Sequence, residues 1–304
     1  MKKCFRLAAA LAAFGLALAM AGCNNSSDDN TALLLLMRNS SQSSAPTKTG
    51  PLEVGDVVLR DGMAVAKADI SKMSAAQKND AIAVIFHVGT DVSNVYASIS
   101  KAPATLQERT LGVGLARATK LNWCSSTAAA KDIKITSVAC QPSGDPGNYT
   151  FPYSGRDGSK NLEKIKEAAN DSDDSDDAQE YPAFYFAKNY ASQTGSHVSG
   201  TNYASGWYLP SVAELFQIWK EKEAVDAALS ACGVETFAGA AASGPRWHLS
   251  STQNNSGSSY DGECALMINF LAGNGGGTDD GAYGEMTKDN SAQDWISICA
   301  IREF

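Results

Sequence analysis

The apolar and polar positions change period along the chain, and each period predicts a different element. Val54 to Leu59 is rich in β-formers, and Asp61-Gly62 is a turn pair, so a hairpin with Met63 to Ala68 is predicted. Ser71 to Asn79 reads as a short helix or a polar loop. Ala81 to Val88 is a continuous apolar run of strand length that ends at Gly89, the pattern of a buried central strand. Tyr96 to Ser100 reads as another strand. Leu111 to Leu115, with Gly112 and Gly114 inside it, suits a strand that something approaches closely. Helical spacing of Leu162, Ile165 and Ala169 predicts a helix over Asn161 to Asn170. Tyr181 to Tyr190 is dense in aromatics and reads as core. Ser211 and Glu214 form a capping box that starts a helix with Val212, Leu215, Phe216 and Trp219 on one face. A second helical stretch, Ala224 to Ala231, stops at Gly233. Glu235 to Pro245 is a small-residue loop.

The last part of the chain, Arg246 to Phe304, has ordered-looking ends around a middle of Asn, Ser, Gly and Asp. Period-2 alternation appears twice. Leu266, Ile268 and Phe270 alternate with Ala265, Met267 and Asn269; Ile296 and Ile298 alternate with Trp295, Ser297 and Cys299. One face of each strand then goes to the core. The other turns Met267, Trp295 and Ser297 outward, beside Tyr260 and Tyr283, in a composition that binding surfaces use. A sheet whose second face is covered by loops fits the same alternation equally well.

The N-terminus sets the compartment. Lys2, Lys3 and Arg6 precede an apolar stretch from Leu7 to Met20 that is too short for a spanning helix. Met20-Ala21-Gly22-Cys23 follows, small residues before a cysteine, as in a bacterial lipoprotein signal, with Met20 where Leu is usual. Residues 1–22 are therefore expected to be a signal peptide and Cys23 the lipidated first residue of the mature chain. Residues 23–50, rich in Ser, Asn, Asp and Thr, read as a flexible tether, and 51–304 as one domain. The expected location is the cell envelope, on its outer surface, held to the membrane through the lipid only.

The chemistry is sparse. Net charge is −8 with no basic run, which argues against nucleic acid as partner. Cys124, Cys140, Cys232, Cys264 and Cys299 remain beyond the signal and lipidation cysteines; no CxxC pair exists, and zinc is not expected. A Cys124–Cys140 disulfide is expected, with Cys264 as the free thiol. Asp171 to Glu180 carries Asp171, Asp173, Asp174, Asp176 and Asp177, a calcium loop or, more simply, a solvated one; the spaced ligands of an EF-hand are missing. The chain contains no HExxH, GxSxG or P-loop, and His87, His197 and His248 have no obvious nucleophile beside them. No catalytic residue and no metal ligand is assigned.

Three segments carry a resemblance. Gly206-Trp207-Tyr208-Leu209-Pro210-Ser211 with Glu214-Leu215 resembles the "GW-x-LP-[ST]-x-x-EL" segment of a bacterial C-type-lectin-like family of the formylglycine-generating-enzyme subclass. Leu249 to Gln253 is similar to its "YWSSTQ" strand, with His248 and Leu249 replacing Tyr and Trp. Cys299 to Phe304 is similar to its closing "C-x-V-R-x-F". With the lipoprotein signal, the constellation resembles the treponemal variable lipoproteins, targets of diversity-generating retroelements that rewrite adenines in a C-terminal repeat. Cys264 would then be a product of such rewriting. Structural calcium occurs in that subclass; its ligands are unassigned here, and no other cofactor is implied.

The resemblance implies an α+β, C-type-lectin-like fold with mixed and antiparallel sheets, few helices and long loops. It implies a surface-displayed lipoprotein, not an enzyme, whose tract 246–304 binds a variable macromolecular ligand, a protein by preference. Outward parity and loop position nominate Arg246, His248, Tyr260, Asp261, Glu263, Cys264, Met267, Leu271, Tyr283, Asp294, Trp295 and Ser297. Two alternatives stand beside it: a formylglycine-generating-type oxidase or degenerate relative, and an envelope or adhesion lipoprotein with a fixed partner.

Overall fold

A computed structural model describes residues 44–90, 108–175, 177–237, 247–255, 257, 262–270 and 280–304. The signal peptide, Cys23, the strand expected at Tyr96 to Ser100, and Arg246, Tyr260, Asp261 and Leu271 lie outside them.

The architecture is mixed α+β around one ten-stranded sheet, with β10 paired to β7 in parallel and most other neighbours antiparallel. The domain begins earlier than the composition suggests. Ala45 is buried and exchanges backbone hydrogen bonds with the Gln77 side chain, and β1 (Thr47–Lys48) pairs with β3 (Ala64–Val65). The fold therefore includes residues before 51, within the span expected to be a tether. β2 (Val57–Leu59) and β3 form the expected hairpin, closed by Gly62 at φ 86° and an Asp61 carboxylate that accepts from the Met63 N–H. A short helix, α1 (Ala75–Asp80), follows; its Ser74 cap and Gln77 satisfy each other's backbone donors.

β4 (Ala81–Gly89) and β5 (Arg109–Thr119) are the antiparallel centre. Gly112 and Gly114 of β5 are small because rings lie on them: the Phe304 ring over one, the Tyr190 phenol over the other. The Tyr190 oxygen also accepts from the Ala116 N–H at 2.7 Å. A long, turn-rich stretch then leads through β6 (Ala139–Cys140) to α2 (Asn161–Ala169), which ends on a left-handed Asn170. The helices α3 (Asp177–Glu180), α4 (Pro182–Lys188), α5 (Val212–Lys220) and α6 (Lys222–Cys232) follow. The rest of the sheet is β7 (Trp247–Asn254), β8 (Cys264–Asn269), β9 (Tyr283–Thr287) and β10 (Ile296–Glu303), in the overall order β1-β3-β2-β4-β5-β10-β7-β8-β9.

Both faces of this sheet are buried. Val84, Phe86, Val113, Leu266, Ile268, Phe270 and Cys299 pack under α5 and α6. Ile82, Ile85, Leu249, Met267, Ile296 and Ile298 pack under α4, Ile165 of α2 and the Trp123 region. The alternation in β8 and β10 is as the sequence implies, but the second face is core as well. Met267 and Ser297, expected outward, are each 2 % exposed, and His248 is 1 % exposed.

The acidic run is exposed at Asp173 and Asp174 and anchored at the buried Asp177. Lys166 of α2 reaches into it, donating to the Asp173 carbonyl at 2.5 Å, Asp174 at 2.9 Å and the buried Asp177 at 2.5 Å; Lys188 adds a second cation to Asp177 at 3.1 Å. Among the described residues no cluster of His, Cys, Asp or Glu could hold a metal ion. The expected disulfide is absent: Cys124 and Cys140 are free thiols in cores on opposite faces of the sheet.

Candidate ligand-binding face

The register places the expected site residues at two ends of the sheet and in its interior. β10 begins beside the start of β7, with Ile296 opposite Trp247 and Ser297 opposite His248, and beside the end of β5, with Ser297 opposite Thr119. At this end Asp294 and Trp295 project. The Asp294 carboxylate meets the Lys120 ammonium at 2.7 Å, both largely exposed, and Trp295 is 39 % exposed. Lys120 turns the chain with a positive φ of 61°. The 291–295 turn is held by the Gln293 and Ile296 N–H groups within it and by Asn122, whose side-chain oxygen accepts from the Ala292 N–H at 2.7 Å. A rigid indole beside an exposed charge pair is suited to contact a partner, because its large area costs little side-chain entropy on binding.

Glu263 and Cys264 open β8 at the other end, where Cys264 pairs with Thr287 and the Glu263 carbonyl accepts from the Lys288 N–H. Cys264 is 7 % exposed, which corrects its expected role as a displayed, rewritten residue. Tyr283 lies on the edge strand β9, its ring 5.2 Å from Tyr149 and its hydroxyl accepting from Gln141 at 3.4 Å. It packs toward the α5 side of the sheet. The nominated set therefore does not form one patch: Asp294 and Trp295 come together, and His248, Cys264, Met267 and Ser297 lie inside.

Behind the exposed turn is an aromatic cage. His248 packs against Phe237 and Phe270 at 4.7 and 4.6 Å, and the Arg117 guanidinium lies 3.7 Å over the Phe237 ring. Burial, then the Arg117 charge, push the His248 pKa well below its ordinary value, so the ring is neutral. Sequence reasoning confined to the C-terminal tract missed Lys120 and Arg117. The available signal was Arg117 itself, a charge within the otherwise apolar β5 pattern of Leu111, Val113 and Leu115.

The three motif segments build the frame. β10 and β7 diverge after two paired residues, and the 206–211 segment fills the fork. Tyr208 and Ile301 exchange backbone hydrogen bonds at 2.9 and 3.0 Å, and the Ser251 N–H donates to the Pro210 carbonyl at 2.8 Å. Glu214 locks this join. Its carboxylate, fully buried, accepts from the Ser211 and Gly158 N–H groups and the Tyr208 hydroxyl, and faces Arg109 at 3.4 Å. Burial, and then Asp157 nearby, raise the Glu214 pKa to about 7 against the opposing pull of Arg109. A cavity of about 470 Å³ lies over the Gly158 side of this join, lined by Lys166, Glu167, Phe184, Lys188 and Trp207.

No family model matches the chain, and no curated protein matches it. Among solved structures it is similar to a fimbrial protein from Bacteroides ovatus ATCC 8483, at 18 % identity and a TM-score of 0.53. The match covers 83 % of this chain and 49 % of that one, so the chain spans about half the length of the solved relative. At this identity the likeness is one of fold.

Proposed function

We propose that the chain is an exported, lipid-anchored, surface-displayed protein that binds a macromolecular ligand, a protein by class, at the sheet end carrying Lys120, Asp294 and Trp295. Its fold is read as C-type-lectin-like, of the formylglycine-generating-enzyme subclass, and its kinship as the variable lipoproteins. The carrying observation is that the three segments behind that resemblance, far apart in sequence, bond to one another around Glu214. Trp295 supports the binding role as a ready aromatic contact. Burial raises the Cys299 pKa to about 12, which favours this reading over an oxidase that needs a reactive thiolate there.

A fixed-partner envelope or adhesion protein is the second reading. It is favoured by the burial of His248, Cys264, Met267 and Ser297, which leaves fewer C-terminal positions free to vary without damage to the core. The fold shared with a fimbrial protein points the same way. Sequencing the neighbourhood of the gene separates the two. A near-copy of the C-terminal coding tract beside a reverse transcriptase gene, differing at template adenines in codons for exposed residues, supports variation; no copy, or differences at random bases, leaves the fixed partner. Metabolic labelling with a fatty-acid analogue, lost in Cys23→Ala, is the expected result for the anchor.

A further inference from the structure

Arg117 stands in β5 opposite Cys299 of β10, and its guanidinium is held in one orientation. Nη1 donates to the Thr236 carbonyl at 2.8 Å, and one face lies on Phe237. What remains is the side-on edge formed by Nε and Nη2, whose parallel N–H groups match the two oxygens of a carboxylate. Neither atom has a hydrogen-bond partner among the described residues, and neither reaches solvent. On the same phenyl ring sits His248, 99 parts in 100 buried, with the Phe237 backbone as its hydrogen-bonding neighbour. Buried polar atoms are nearly always bonded, so two orphans on one guanidinium edge mark a place suited to an anionic group.

The local acids do not fill it. Asp226 of α6 and Glu235 act on Arg117 through space, as do Cys299 and Tyr190, but Asp226 Oδ1 is engaged by the Phe237 N–H at 2.6 Å. We propose that the Nε/Nη2 edge of Arg117, backed by His248, is a binding site for a carboxylate group. The inference rests on reading this end of the sheet as the ligand face, and the carboxylate is either a free small acid or an acidic side chain of the bound partner. Because the edge is closed to solvent, entry requires Phe237 to swing aside.

The test is a titration of the protein with formate, followed on the arginine Nε–H signals in ¹H–¹⁵N spectra and by calorimetry, with sodium chloride at matched ionic strength as control. A blocked Gly-Asp-Gly peptide forms a parallel arm. The expected result is a formate-dependent shift of the Arg117 signal that chloride does not reproduce. Arg117→Lys, which keeps the charge and drops the fork, weakens binding roughly tenfold. A matching shift with the peptide assigns the site to a partner's side chain; a shift with formate alone assigns it to a free acid. No shift with either, an equal shift with chloride, or undiminished binding in Arg117→Lys overturns the proposal. Any of these outcomes leaves the gene-neighbourhood test of the wider reading untouched.

Discussion

Glu214 shows how one residue's chemistry reaches the rest of the frame. The Ser211–Glu214 capping box is written in the sequence as Ser, two residues, then Glu. What the sequence does not show is that the carboxylate is fully buried and also accepts from Gly158 and Tyr208, because those partners arrive only when the chain folds. Its pKa, raised to about 7 chiefly by burial, lies above the ordinary 4.5. The folded state therefore holds this proton more tightly than the unfolded chain does. Its stabilising contribution is complete below about pH 4.5 and is lost as pH rises through 7. Thermal melts at pH 5 and pH 8 are expected to show a fall in Tm for the wild type that is smaller by a few degrees in Glu214→Gln. Equal falls in the two proteins would show that other groups carry the pH dependence.

At the scale of elements, the acidic run illustrates where pattern reading stops. Clustered Asp residues between α2 and α4 are visible in the sequence, and so is the helical spacing that places Lys166 on α2. The helix itself was legible; the docking of the run onto its lysine was not, since it depends on the return path of the chain. Asp177 is 2 % exposed and rests on Lys166 and Lys188. Lys166→Met is expected to lower stability by roughly 2–3 kcal/mol, short of the cost of a wholly unpaired buried charge because Lys188 remains. Chemical denaturation measures this, and a loss under 0.5 kcal/mol (about the scatter of a neutral surface change) would mean that the run is held by its turns alone. The β8 and β10 alternation gives the same lesson. Parity told which residues share a face, and it held; it carried no information on whether helices or solvent would cover the other face. Only the connections, which bring α4 and the Trp123 region over Met267 and Ile298, decide that.

For the whole molecule, burial on both sheet faces governs the thiols. Cys124, Cys140, Cys264 and Cys299 are buried and unpaired, and desolvation raises the pKa of each; Cys232 is half-buried. A disulfide reagent at pH 8 is expected to modify Cys232 first and the other four only after denaturation, with Tm unchanged by reductant; a reductant-sensitive Tm would restore the disulfide expected from sequence. The α+β class, the hairpin, β4 and the α5–α6 pair were legible because each is set by local pattern. The strand order was not, because it is set by pairings between distant segments. That order also acts in time. β10 is later in the chain than every other strand described, yet it lies between β5 and β7, near the middle of the sheet. The β2–β5 block can assemble as it emerges, and so can the β7–β9 meander, but each has its joining edge open until β10 arrives. Closure of the sheet therefore depends on the last strand, without which β5 and β7 would each have an unpaired edge. A chain shortened before Ile296 would open both of these edges to pairing with other chains.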